Sequence, residues 1–300
     1  HTYRMRKPTT LPAWKLLTTI STSIISFPCN HAALSFLLTT NPDRSATYFN
    51  SRFIATSPLT MKQEGWIELN SDKSKAQLVK TSDIDWVATS QAGGVYRKMI
   101  EREGTEKVAR ATTVVKFDPN QAFPRHTHDG GEEFLVIDGV WRDDYGDFPK
   151  YSYVRNYIGS GHTPSIGEEG CTILVKLRQM STESKDEPEH KAWEPWSSKS
   201  LSDETPEVKK KELFTSSLEH TSLQIWPSQS SLEITVPKNG AEIFVIDGSF
   251  SSDLGSHDKW SWCRVPNEAE SEVKFNIKTG SERVYVWTKE AHLASDEVGM

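Results

Sequence analysis

The chain has 300 residues, enough for two domains of ordinary size with buried cores. Its formal net charge of −6, from 35 Lys and Arg against 41 Asp and Glu, excludes the overall basic footprint that nucleic acid requires. Three cysteines, Cys29, Cys171 and Cys263, stand far apart without Cys-x-x-Cys spacing, which excludes a disulfide framework and is compatible with a reducing compartment. Residues 1–60 differ in kind from the rest: Arg4, Arg6, Lys7, Lys15, Arg44 and Arg52 face a single acid, Asp43, in a Ser- and Thr-rich background. Apolar patches at 16–27 and 32–38 are too short and too interrupted to span a membrane. Two readings of this stretch stay open: an organelle transit peptide, or a segment upstream of the native coding sequence, which Met61 would then open.

From Met61 onward the pattern is all-β, with short apolar runs rich in Val, Ile, Thr and aromatics and turns marked by Gly, Pro, Asn and Asp. Strands are predicted at 95–100, 112–117, 134–138, 151–156 and 171–177, with turns at 119–120, 143–147 and 159–161. Cys171 falls in an apolar strand and reads as a small core residue. A charged linker over 181–198 divides the chain into a first domain, 61–180, and a second, 199–300.

The first domain carries the chemistry. His126 and His128 flank Thr127, so on a strand both imidazoles point to one face. Gly130-Gly131 turns the chain into a second strand that opens with Glu132, and His162 follows within Gly-Ser-Gly-His-Thr-Pro. Three imidazole nitrogens and one carboxylate oxygen are thus expected to converge inside a barrel and hold one divalent metal per chain. An N/O donor set without thiolate suits Zn, Fe, Mn, Ni or Cu.

At these positions the sequence resembles the cupin superfamily, whose first motif reads Gly-x5-His-x-His-x3/4-Glu-x6-Gly and whose second centres on Pro-x-Gly-x2-His. His126, His128, Glu132 and Gly139 fall on the first in register, and Gly159 and His162 on the second. Asn120 replaces the leading Gly, Tyr157 the Pro, and Ile166 a frequent Asn; Asn accepts the left-handed conformation that the first position needs. Residues 123–180 resemble the ChrR-type cupins in particular, through Phe-Pro-Arg-His-Thr-His, Gly-Gly-Glu-Glu-Phe, Tyr-Val-Arg-Asn, Gly-His-Thr-Pro and Glu-Glu-Gly-Cys-Thr-Ile. The resemblance implies a double-sheet jelly-roll barrel, also called a double-stranded β-helix. It offers two functional precedents: Fe or Mn enzymes of the dioxygenase and isomerase type, and a Zn-containing sensor or structural module. The anti-sigma role of the namesake is not expected, because residues 1–60 lack the His and Cys spacing of its helical zinc domain.

An internal repeat supports a second barrel. Glu133, Val136, Ile137, Asp138 and Gly139 recur as Glu242, Val245, Ile246, Asp247 and Gly248, an offset of 109 (242 − 133). Without a gap, that offset sets Thr235 at His126, Pro237 at His128, Ala241 at Glu132 and Ser271 at His162. The chain therefore reads as a bicupin with a degenerate second barrel that lacks metal ligands. Phe134, Val136 and Tyr153 are expected to line the first barrel, and Arg155 to be a surface ion-pair partner or a contact to an anionic ligand. Trp141, Trp193 and Trp196 read as packing or interface residues. The expected partners are a small-molecule ligand or substrate and a second copy joined through sheet edges, with no nucleic acid and no membrane. The expected location is soluble and intracellular, or a plastid or mitochondrion if the leader is genuine.

Overall fold

The computed structural model describes residues 65–90, 92–180, 190–193, 207–269, 271 and 273–293, whose regular structure is extended apart from one 3-10 turn, Thr81–Asp83. The leader, Cys29, Trp196 and most of the charged linker lie outside these residues. The first eleven strands are β1 (Ile67–Leu69), β2 (Gln77–Lys80), β3 (Val87–Ala88), β4 (Val95–Gly104), β5 (Ala109–Phe117), β6 (His126–Thr127), β7 (Glu132–Asp143), β8 (Gly146–Pro149), β9 (Tyr153–Asn156), β10 (Gly161–His162) and β11 (Ser165–Leu177). Ten more follow: β12 (His190–Trp193), β13 (Lys209–Thr215), β14 (His220–Trp226), β15 (Ser231–Val236), β16 (Ala241–Asp247), β17 (Phe250–Ser252), β18 (Gly255–His257), β19 (Ser261–Val265), β20 (Val273–Thr279) and β21 (Val284–Glu290). The predicted strands lie inside β4, β5, β7, β9 and β11, except that β9 starts two residues late, because Tyr151 takes a positive φ of 73° in the preceding turn.

The strands build two cupin barrels. The large sheet of the first runs β1-β4-β5-β11-β7-β9-β12, faced by the short pair β10-β6. That of the second runs β13-β14-β21-β16-β19-β2, faced by β15-β20-β17-β18. The order β4-β5-β11-β7-β9 recurs as β13-β14-β21-β16-β19, so the sequence repeat is also a topological one. At the edges the two halves trade strands. β2, which lies in the chain between β1 and β3 of the first barrel's sheet, pairs with β19 of the second, and β12, inside the stretch read as linker, pairs with β9 of the first.

The sheets also confirm where the repeat stays in register and where it slips. Glu133 lies opposite Arg155, and Glu242 opposite Arg264, at the same offset of 109. Beyond Arg264 the offset grows: His126 faces His162 while Thr235 faces Lys274, an offset of 112 (274 − 162). The residue that takes the place of His162 is therefore Lys274, not Ser271. The cause is a connection of seven residues, 266–272, where the first barrel uses four, 157–160. Lys274 donates to Thr235 at 2.8 Å, and the second interior is filled by Trp226, Ile243, Val245, Phe250 and Phe275.

Alternation along β7 sorts its apolar run between two cores. Phe134 and Val136 join Trp141, Ile173 and Val175 inside the first barrel. Leu135 and Ile137 face outward and pack with Leu174, Phe244, Ile246 and Trp287 in a core shared by both barrels. Tyr153 belongs to that shared core, so it does not line the barrel interior. The sequence could not separate the two faces because both are apolar, as in any strand buried on both sides.

Two buried carboxylates sit beside the shared core, each satisfied by a lysine from the other barrel. Glu133 on β7 receives the Lys289 ammonium from β21 and the Tyr153 hydroxyl, and Arg155 lies at 2.9 Å. Glu242 on β16 receives Lys176 from β11 at 2.6 Å, the Trp262 indole at 3.1 Å and the His292 ring at 2.9 Å. Arg155 also pairs with Glu219 at 2.6 Å and is 1% exposed, so it is neither a surface residue nor open to a ligand. Burial by itself would raise the Glu133 carboxyl; Lys289 and Arg155 outweigh it and hold it at about 2.

Because removing one member strands a buried charge, Lys176→Met and Lys289→Met should each destabilise the fold by about 3–5 kcal/mol in denaturant titrations. Each should still unfold in one transition, since the lysine serves the opposite barrel. A carboxylate depressed from 4.5 to about 2 gives stability that is complete above pH 4.5 and lost as the pH falls towards 2. Acid titration of the fold should show that loss.

Candidate metal centre

The site begins with local turns. β6 and β10 pair so that His126 stands opposite His162. A side chain at Gly161 would put its Cβ 2.7 Å from the His126 carbonyl oxygen, so glycine there permits the close strand approach. His128 lies just past β6, on the face of His126, and its backbone is tied on both sides: its N–H donates to the Ser160 carbonyl at 2.9 Å and its carbonyl accepts from Gly131 at 3.1 Å. Gly131, with φ 75°, then reverses the chain into β7, whose first residue is Glu132. Asn120 adopts φ 59°, the left-handed conformation that its place in the first motif calls for.

Each of the three histidines offers a ring nitrogen within 4.8 Å of the others. The His126 and His162 Nε2 atoms are 3.3 Å apart. Their tautomers follow from their other nitrogens. His126 Nδ1 faces the Pro124 carbonyl at 3.1 Å, an acceptor only, so it carries the proton. His162 Nδ1 faces Asp143 Oδ2 at 3.0 Å. Burial opposes ionisation of Asp143, but its bonds from His162, the Tyr145 amide and the Trp141 indole outweigh it and keep the carboxyl below its usual range. His162 therefore also donates from Nδ1. Two Nε2 lone pairs then point into the same space, and the buried His128 Nε2 has no hydrogen-bond partner. Burial lowers the proton affinity of His128, which favours its neutral, ligating form. Two Nε2 lone pairs beside a buried, unpartnered His128 ring nitrogen make a donor set that fits a cation, so the three histidines could hold a metal.

Glu132 stands at the edge of the cluster. Its oxygens lie 3.9 Å from His128 Nδ1 and 3.9 Å from His162 Nε2, outside the tight group of three, and its Oε1 accepts from Asn156 at 3.1 Å. The structure thus brings His126, His128 and His162 together and leaves Glu132 alongside, tethered by a residue that sequence reasoning did not single out. Asp143 was missed as well, having been read as a turn residue; it ends the strand that Glu132 begins. Cys171 is buried in the barrel core, where burial pushes its thiol up, consistent with a packing role.

A cavity of about 430 Å³ opens beside His126 and Glu132, walled by Phe117, Phe123, Trp141 and Val175. Trp141 is a packing residue, as expected, and also shapes the site, since its ring centroid lies 5.7 Å from that of His162. His126 is exposed, whereas His128 and His162 are buried, so the group is approached from the His126 side.

Residues 74–181 match the model of the ChrR Cupin-like domain, and the first barrel is a cupin of that family. Solved structures share the two-barrel fold at low identity. A candidate dioxygenase of Nostoc punctiforme is 14% identical over 75% of this chain and 86% of its own, with a TM-score of 0.54. YlbA of Escherichia coli is 12% identical over 73% and 92%, at 0.52. GK1651 of Geobacillus kaustophilus is 11% identical over 74% and 96%, at 0.53. No curated protein matches the chain. Among the described residues no helix is long and apolar enough to cross a membrane.

Replacing His128 or His162 by Ala should remove most bound metal after dialysis, as read by elemental analysis. Asp143→Asn should keep the fold and lower metal affinity by about 10–100-fold, because it weakens the bond that orients His162. Since a protonated imidazole cannot ligate, metal should be released as the pH falls through the histidine range.

Proposed function

We propose that the first barrel is a metal-dependent enzyme of the oxygenase type, acting on a small organic molecule held in the cavity beside its histidines. The observation that carries this reading is the junction of a cluster of three histidine ring nitrogens with an open apolar hollow. A purely structural site has no need of such access. His126, His128 and His162 would hold one divalent metal, with Glu132 either as a fourth ligand or as a proton acceptor kept in place by Asn156. The metal supplies Lewis acidity and, as Fe(II), a centre able to take O2 and a chelating substrate together. The chain's own residues do the rest. Asp143 fixes the His162 ring, and Phe117, Phe123 and Trp141 exclude water from the substrate's apolar part. The likeness to a candidate dioxygenase supports the fold of this reading, not its reaction.

A second reading rests on the ChrR Cupin-like match: a Zn centre with a sensory, ligand-binding or structural role. Anaerobic reconstitution with Fe(II), followed by titration with nitric oxide and by O2 uptake with small diketones and phenols, separates the two. An oxygenase should show a spectral response to nitric oxide and substrate-dependent O2 uptake. Absence of any response in the Fe(II) form would leave the zinc reading standing.

A further inference from the structure

The apolar cavity adjoins a second hollow of about 340 Å³, and the two share Arg97, Glu106, His126, Glu132 and Leu177. The second is charged, with Arg97 and Arg102 on one wall. Both arginines come from β4, at positions whose spacing would set them on opposite faces of a regular strand. A β-bulge between Met99 and Glu101 resets the alternation. Ile100 and Glu101 consequently both turn to the other barrel, and Arg102 returns to the face of Arg97.

One carboxylate serves both guanidinium groups. Glu106 Oε2 lies 2.6 Å from Arg97 Nη2 and 3.8 Å from Arg102 Nη2. Arg102 Nη2 also donates to the Thr105 carbonyl at 2.6 Å and to the Glu106 carbonyl at 3.2 Å. The Nε–H donors of both arginines are buried and have no acceptor. Arg102 is 5% exposed, and burial together with the charge of Arg97 lowers its proton affinity against the partial offset of Glu106. The hollow sets four cations, Arg97, Arg102, Lys107 and Arg178, against three carboxylates, Glu106, Asp129 and Glu132, and so carries an excess of positive charge, although Glu106 Oε1 is itself buried without a donor.

We propose that the molecule bound in the first barrel is an amphipathic carboxylic acid, its carboxylate received by Arg97 and Arg102 and its apolar body lying against Phe117, Phe123 and Trp141 beside the histidines. The proposal deepens the reading of the first barrel as a small-molecule site and names the substrate class. A carboxylate is the group that suits these donors, because it is planar and accepts from guanidinium N–H groups in their own plane. Its length is bounded by the two hollows, so an acid with one aromatic ring and a short chain fits the class.

The test uses the full chain loaded with Zn(II), which is redox-inert, and calorimetric titration with 3-phenylpropanoate and with the corresponding amide. The acid should bind on the order of tenfold more tightly than the amide, the value of one good charge-assisted hydrogen bond. Arg97→Gln combined with Arg102→Gln should bring the acid to the level of the amide, and Arg97→Lys should restore part of the preference. If the double variant loses its far-UV dichroism, Arg97→Gln alone serves for the same comparison. In His128→Ala, with the metal lost, the preference for acid should persist. Equal binding of acid and amide, no binding of the acid, or a preference that survives the double variant would overturn the proposal. So would a preference that vanishes with the metal, since the carboxylate would then be a metal ligand. Failure of the oxygenase reading would show separately, as silence towards nitric oxide in a protein that still prefers the acid.

Discussion

The exchange of lysines between two buried carboxylates is the constraint on which the fold depends. Glu133 and Glu242 each depend for full compensation on a lysine of the opposite barrel, Lys289 on β21 and Lys176 on β11. A buried carboxylate without its cation is more costly than most single interactions can offset. The barrels are thereby fixed not only to be adjacent but to be in one register, with Leu135 and Ile137 of one meeting Phe244 and Ile246 of the other. The apolar core supplies the driving force, and the crossed charges supply the uniqueness.

The same repeat has been used in two ways. In the first barrel Gly161 permits the close approach of the strands that carry His126 and His162, and Gly131 turns the chain into β7 under Met180. In the second, Thr235, Pro237 and Lys274 occupy the equivalent places, and large aromatic side chains fill the interior. What the second barrel keeps is its outer face, because that face completes the shared core and neutralises Glu133.

Much of this was legible in the sequence. The alternation of His126 and His128 announces a common face, and the recurrence of Glu133 as Glu242 announces the second barrel. The hidden parts have identifiable physical causes. Tyr153 was assigned to the wrong core because apolar residues occupy both faces of its neighbours. Arg155 looked like a surface residue because arginine usually is one, and only tertiary structure shows that Glu133 and Glu219 enclose it. Asp143 acts through a strand pairing that no local spacing reports. The slip from Ser271 to Lys274 follows from a longer connection, to which a gapless repeat is blind.

The traded strands have a consequence for how such a chain is made. β2 leaves the ribosome early but has no sheet to join until β19 has been synthesised, and Glu133 must wait for Lys289, close to the end of the described chain. The first barrel cannot reach its final packing as a nascent domain; it has to persist with an unpaired strand and with Glu133 lacking its lysine while the second is translated. Closure is a late, long-range event, and ribosomes that stall within the second half would release a histidine cluster mounted on an unfinished wall.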